Sequence, residues 1–193
     1  MRVLVACEFS GVVRDAFIKR GHNAWSCDII APEPGKHSHQ HWRGDVREVM
    51  YMQWDMMIAH PPCTYLASSG LHWNKRVPGR AKLTDEAIEF VRLLLDAPIH
   101  RIALENPIGC ISSRIRKPDQ IIQPWQFGHD ASKATCLWLK NLPPLQPTDV
   151  IKKDRYANQT PSGQNKLGPS PTRAQERSRT YTGIAEAMAT QWG

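Results

Sequence analysis

The sequence predicts an α/β fold, a mostly parallel sheet with helices on both faces, and three observations predict it. Short apolar runs recur, each stopped by a polar or proline-bearing turn; stripes of apolar residues at helical spacing lie between them; and residues 2–28 read strand, glycine turn, helix, strand, acid. At 193 residues, 41% hydrophobic and 22% charged, the chain is long enough for one domain with a real core.

Val3-Leu4-Val5 is β-branched or aliphatic and reads as a buried strand running into Cys7-Glu8-Phe9-Ser10-Gly11, where the glycine permits a sharp turn. A helix with Val13, Ala16 and Phe17 on one face follows, closed by Gly21, and a second strand over residues 23–27 ends at Asp28. An acid about 20 residues after a glycine turn is where nucleotide-binding α/β folds hold a ribose hydroxyl. Residues 32–42 are loop-like. His37, His39 and His41 alternate there and could share a zinc ion given a fourth ligand, but no thiolate pair or helical HxxxH accompanies them, and no metal is expected.

Gly44-Asp45-Val46 precedes a short helix, and then Met56 to Ala59 forms a strand that Pro61-Pro62 must stop, since neither proline can donate a backbone hydrogen bond. Cys63 is thus delivered just beyond a strand, where open α/β sheets place their chemistry. Residues 68–80 are polar and basic and read as a mobile loop. Thr84 then looks like the cap of a helix carrying Ile88, Val91, Leu94 and Leu95 as a core stripe, with Pro98 beyond its end. Residues 101–104 form the next strand, with Glu105-Asn106-Pro107 at its exit, and residues 135–139 another.

From 141 to 182 the composition shifts to Pro, Gln, Asn, Ser and Gly. Seven basic residues (Lys152, Lys153, Arg155, Lys166, Arg173, Arg177, Arg179) outnumber the acids Asp149, Asp154 and Glu176, so a basic loop is expected, partly disordered. Residues 183–193 form a C-terminal helix that packs Ile184, Met188 and Trp192 on the core. The formal charge of +7 and pI near 9.3 suggest a polyanionic partner, most commonly nucleic acid. Five cysteines, odd in number and without a CxxC pair, point to reduced thiols and a cytoplasmic setting, and no long apolar stretch suggests a membrane span.

A thiol and a Glu-Asn pair at the ends of two strands of one sheet can face each other across a pocket, and cytosine chemistry uses that pair. A thiolate adding to C6 activates C5, and an acid on N3 eases the addition. On these residues the chain resembles the DNA cytosine-5 methyltransferase family: Pro61-Pro62-Cys63 with Ser69-Gly70 behind it looks like the nucleophile motif, Glu105-Asn106 like the Glu-Asn-Val motif, and Phe9-Ser10-Gly11 like the first, cofactor motif. The resemblance covers residues 1–140 and the final helix. It implies a Rossmann-like class I S-adenosylmethionine-dependent methyltransferase fold in a compact form, with 141–182 in place of a recognition domain.

Carried over by position, Cys63 is the nucleophile, Glu105 the N3 partner and Asn106 a support of the pocket. Phe9, Ser10, Gly11, Asp28, Asp45 and Pro61 line the S-adenosylmethionine site. Gln175-Glu176-Arg177-Ser178-Arg179 carries the letters of the family's Gln-x-Arg-x-Arg motif but lies late in the chain. Lys133 and Thr135 stand at the expected distance after Glu105 and are taken as its equivalents, on the catalytic side. Ser69, Lys75, Arg76, Lys166, Arg173, Arg177 and Arg179 are expected to contact DNA, duplex in preference, with short or loose specificity and a monomeric protein acting in a bacterial or phage-infected cell. The alternatives are the same chemistry on tRNA, single-stranded DNA or a free cytidine nucleotide, an amino-group methyltransferase, and a catalytically dead nucleic-acid-binding protein.

Overall fold

The computed structural model describes residues 1–168 and 173–193, the side chains of 173 and 174 excepted. The strands are Arg2–Ala6 (β1), Asn23–Asp28 (β2), His41–Arg43 (β3), Met56–Ala59 (β4), Arg101–Pro107 (β5), Gln120–Ile122 (β6) and Thr135–Lys140 (β7). They form one sheet in the order β3-β2-β1-β4-β5-β7-β6. The first five pair in parallel, and β7 runs antiparallel between β5 and β6. This is the expected α/β class, a Rossmann-like sheet whose strand order reverses beside β1.

Period-2 alternation sends the strands' side chains into two cores. Val3 and Val5 of β1, Met56 and Ile58 of β4 and Ala103 of β5 pack with Val13 and Phe17 of helix α1 (Val12–Lys19) and with Ile184 and Met188 of helix α6 (Thr182–Gln191). Leu4, Ala6, Met57, Ala59, Ile102 and Leu104 face Ile88, Val91 and Leu94 of helix α3 (Arg80–Leu95). All of these residues are buried, so each of these strands is apolar on both faces, as sheets covered on both sides require.

Several local expectations change. Helix α3 begins at Arg80, behind a left-handed Gly79 (φ 79°), and Thr84 lies inside it, buried. The extra turn is explained by what it holds: Arg80 Nη2 donates to Thr64 O at 2.9 Å with its guanidinium over the Tyr65 ring, while Thr84 Oγ1 donates to Tyr65 O and accepts from Asn74. Residues 68–80 are likewise a short helix α2 (Ser68–Leu71) and a 3-10 turn (His72–Lys75), anchored because Ser68 N donates to Ile108 O. The short helix expected after Asp45 is a 3-10 turn, Val46–Glu48, capped by Asp45.

β5 continues through Glu105, Asn106 and Pro107 because β7 pairs with it there, opposite Leu137, Cys136 and Thr135. A short helix α4 (Ile111–Arg114) leads from β5 toward β6. The basic stretch contains a helix, α5 (Arg173–Ser178), and is pinned at Ser132 N–Asn158 Oδ1 and Ala157 N–Asp130 Oδ1; residues 169–172 lie outside the described residues. No helix among the described residues is long and apolar enough to cross a membrane.

Candidate active site

The crevice beyond the carboxyl ends of β1 and β4, where the strand order reverses, is where open α/β sheets bind their ligands. The chain leaves β1 through Cys7, a non-glycine residue in the left-handed region (φ 60°), which breaks the strand's alternation. Burial and the Asp28 charge push the Cys7 thiol far above its ordinary value. The kink sends the buried Glu8 toward α1, which has no side-chain cap of its own because its N-cap is Gly11 (φ 72°). Glu8 is that cap: Oε1 accepts from Val13 N at 2.7 Å and Oε2 from Arg14 N at 3.3 Å.

Gly11 is required by its left-handed backbone, and the Arg14 guanidinium occupies the space beside it, Nη2 standing 2.2 Å from where a Cβ would be. That guanidinium is 1% exposed and donates to Asp15 and to Ser26 Oγ. Ser26 in turn donates to His41 Nδ1, leaving the His41 Nε2 proton for Ile30 O. The anion site that a helix amino terminus offers is therefore filled by the chain's own carboxylate. Burial raises Glu8 above the usual carboxylate value, against the pull of His60, the two α1 amides and Arg14.

At the exits of β2 and β3, Asp28 accepts from Ile30 N at 3.0 Å, and its burial raises its pKa. Asp45 pairs with Arg47, whose hydrogen bonds hold the Asp45 carboxyl low. Both carboxylates act on the Cys7 thiol, so the acids at the ends of β2 and β3 gather beside the end of β1. Beside Asp28, Ile29 is 73% exposed, and Ile30 and Trp42 are exposed too. Phe9 is buried, its carbonyl held by Glu33 N, and Ser10 Oγ points back to Glu8.

On the other side of the crevice, β4 runs out into His60, Pro61, Pro62 and Cys63. Pro61 O accepts from Asn106 Nδ2 at 2.8 Å, which ties the end of β4 to the buried Asn106 on β5. Glu105, one residue earlier, extends past the end of β4 and meets His60: Nδ1 lies 3.0 Å from Oε2, in side chains only 8% and 15% exposed. Burial would raise Glu105, but the His60 hydrogen bond, Lys133 and the His60 charge together hold it below its usual value.

Cys63 is the exposed cysteine of the five. Its carbonyl accepts from Leu66 N and Ala67 N, closing a turn that bridges to Gly109 and Cys110 beyond β5. A Cβ on Gly109 would sit 2.0 Å from Leu66 O, so the two loops are in backbone contact. Desolvation and Glu105 push the Cys63 thiol up, while Lys133 and Arg177 pull it down. The structure thus brings Cys63, Glu105, Lys133 and Arg177 within electrostatic reach of one another, with Asn106 bonded to Pro61 beside them.

Lys133 Nζ donates to Arg177 O at 2.7 Å, so both versions of the late basic motif reach the same place, one from the β7 approach and one from α5. Thr135 is buried with its hydroxyl on Lys133 O, where it braces the turn into β7. Arg179 pairs with Glu33, across the Phe9 loop. Ser69, Lys75 and Arg76 are exposed on α2 and the following turn, Arg76 resting over Trp73, and Lys166 is exposed with its ammonium on Ala157 O. Arg173 opens α5, its side chain lying outside the described residues.

Sequence reasoning did not single out Glu8 or His60. The available signals were a helix that begins without a capping side chain, and a histidine continuing the Met56-Ile58 face of an apolar strand. No family model matches the chain, and no curated protein matches it. Among solved structures it is similar to a candidate DNA modification methyltransferase encoded within a prophage (E. coli), at 15% identity and a TM-score of 0.47, over 78% of this chain and 52% of that one. The chain therefore spans about half the length of that protein.

Proposed function

We propose that the protein transfers a methyl group from S-adenosylmethionine to C5 of cytosine in DNA, through a covalent bond between Cys63 and C6. The observation that carries this reading is the pairing of an accessible thiol with the largely covered Glu105 and the buried Asn106 on the adjacent parallel strand, close enough for the Glu105 charge to act on the thiol. The self-capped α1 supports the cofactor assignment: Glu8 occupies the place a pyrophosphate would take, and S-adenosylmethionine carries no phosphate. Asp28 is the group for the ribose hydroxyls, with Asp45, Phe9 and the exposed Ile29 for the adenine. The cofactor supplies an electrophilic methyl group when bound.

The chain's own residues do the rest. The Cys63 proton passes to the ionised Glu105 carboxylate, and the thiolate adds to C6 as Glu105 hands that proton on to N3, so Glu105 ends the step ionised as it began and electron density is left on C5. A Glu105 that shares a proton with N3 no longer opposes the thiolate, so arrival of the base itself promotes deprotonation, with Lys133 and Arg177 favouring the anion. C5 takes the methyl group; loss of the C5 proton to solvent then expels the thiolate, and return of the N3 proton to Glu105 restores the neutral ring. The basic stretch and the turns after Cys63 lie beside the crevice where a base leaving the duplex would be received.

A duplex oligonucleotide containing 5-fluorocytosine tests this, because fluorine cannot leave C5 as a proton does. The expected result is a denaturant-resistant adduct that needs S-adenosylmethionine and disappears in Cys63→Ala. Normal methylation by Cys63→Ala would refute the mechanism. Labelled methyl groups appearing only in tRNA, single strands or dCMP would refute the duplex substrate.

A further inference from the structure

His60 stands where the two halves of the crevice meet. Its backbone N–H is held by Ala6 O at the end of β1, and its ring meets the Glu105 carboxylate from the neighbouring strand β5. Nδ1 contacts Glu105 Oε2 at 3.0 Å. The ring is 8% exposed, yet Nε2 has no hydrogen-bond partner among the described residues. The buried Asn106, whose Nδ2 donates to Pro61 O, likewise has its Oδ1 without a partner among the described residues. An ionised carboxylate can only accept, so the hydrogen bond to Glu105 places a proton on Nδ1 and, in the neutral ring, a bare lone pair on Nε2. Buried polar atoms left this way are rare in folded proteins and call for a partner.

We propose that His60 is the positioning residue of the site: Nδ1 aims Glu105 at the substrate, and the Nε2 lone pair accepts a hydrogen bond from an N–H of a bound ligand. The chemistry of that donor has two sources, the amino group of the cofactor and the exocyclic amine of the base. Lys133, which also acts on Glu105, is tethered to Arg177 O and leaves orientation of the carboxylate to His60. The ligand and catalytic arms of the test rest on the methylation reading; the ring-tautomer arm does not.

The test begins with nitrogen NMR of the full chain labelled in its histidine rings, at pH 8. Expected is a His60 with its proton on Nδ1 and an unprotonated Nε2, and a reversal to the Nε2-protonated form, which free imidazole prefers, in Glu105→Ala. A proton on Nε2 in the wild-type protein, or a pattern indifferent to Glu105→Ala, would overturn the assignment. S-adenosylhomocysteine and a cytosine-containing oligonucleotide are then added separately, and the one that shifts the Nε2 resonance upfield is the donor. A resonance unmoved by both would overturn the acceptor role.

In catalysis, His60→Ala is expected to lower kcat about 100-fold. His60→Asn, which keeps an N–H facing Glu105, is expected to retain activity within about 10-fold of wild type. Equal losses in the two variants would overturn the positioning role. Wild-type protein with the expected nitrogen pattern and no methyl transfer would support the His60 assignment while refuting the proposed reaction.

Discussion

Replacing Glu8 by alanine tests whether the chain fills its own anion site. The substitution removes the acceptor of two buried amides at the start of α1, one bonded at 2.7 Å and the other at 3.3 Å. Hydrogen bonds to a charged group contribute roughly 1.5–3 kcal/mol each. The short bond belongs near the middle of that range and the long one below it, giving about 3 kcal/mol together. Against this stands the relief of removing a desolvated carboxylate, whose raised pKa shows that burial disfavours its charge. A net loss of about 2 kcal/mol is expected, or about 4–8 °C in Tm for a chain of this size. Urea denaturation followed by circular dichroism measures it, and formate, which fits the vacated carboxylate, should recover part of the loss. A Glu8→Ala protein as stable as wild type, with no response to formate, would show that Glu8 is not the cap.

The thiol gives a pH prediction. Cys63 is held above its ordinary value, so it is protonated through neutral pH and its alkylation by iodoacetamide should climb only in the alkaline range. Removing the Glu105 charge in Glu105→Gln takes away a cause of the rise and should shift that limb to lower pH, whereas Lys133→Ala should shift it higher; mass spectrometry of the Cys63 peptide across pH reads both. Glu105→Gln should also lose about 100-fold or more in turnover while binding S-adenosylmethionine normally by calorimetry. Gly109→Ala forces a Cβ against Leu66 O, and should lower stability by about 1–3 kcal/mol in urea and slow adduct formation by moving the Cys63 turn.

The sheet was legible where the sequence punctuates itself. The run Met56-Met57-Ile58-Ala59 before two prolines, and Arg2 to Ala6 before a glycine turn, announce strands through local chemistry alone. Thr84 misled because a threonine ahead of an apolar stripe has the local look of a cap; its hydroxyl is instead engaged by Tyr65 and Asn74, partners distant in sequence. Residues 68–80 looked mobile for the same reason, since the Ile108 contact that anchors them belongs to another strand exit. Cys63, Glu105 and Asn106 stood out because residues after a strand-stopping motif have a recognisable local setting, and the structure sets them at adjacent strand exits. Glu8 and His60 act through partners on other elements, and Arg14, a basic residue on a helix, gave no sign that it would be buried under Gly11.

The packing of α6 has a consequence for how the protein is made. Met56 and Ile58 of β4, with Val3 and Val5 of β1, are covered on one side partly by Ile184 and Met188. In a chain synthesised from its amino terminus, that side of the sheet stays open while everything between Ala59 and Thr182 emerges from the ribosome. The growing polypeptide thus carries an unshielded apolar sheet face until translation of α6 is finished, a period in which such surface invites aggregation. A premature stop before Thr182 would leave that face open for good.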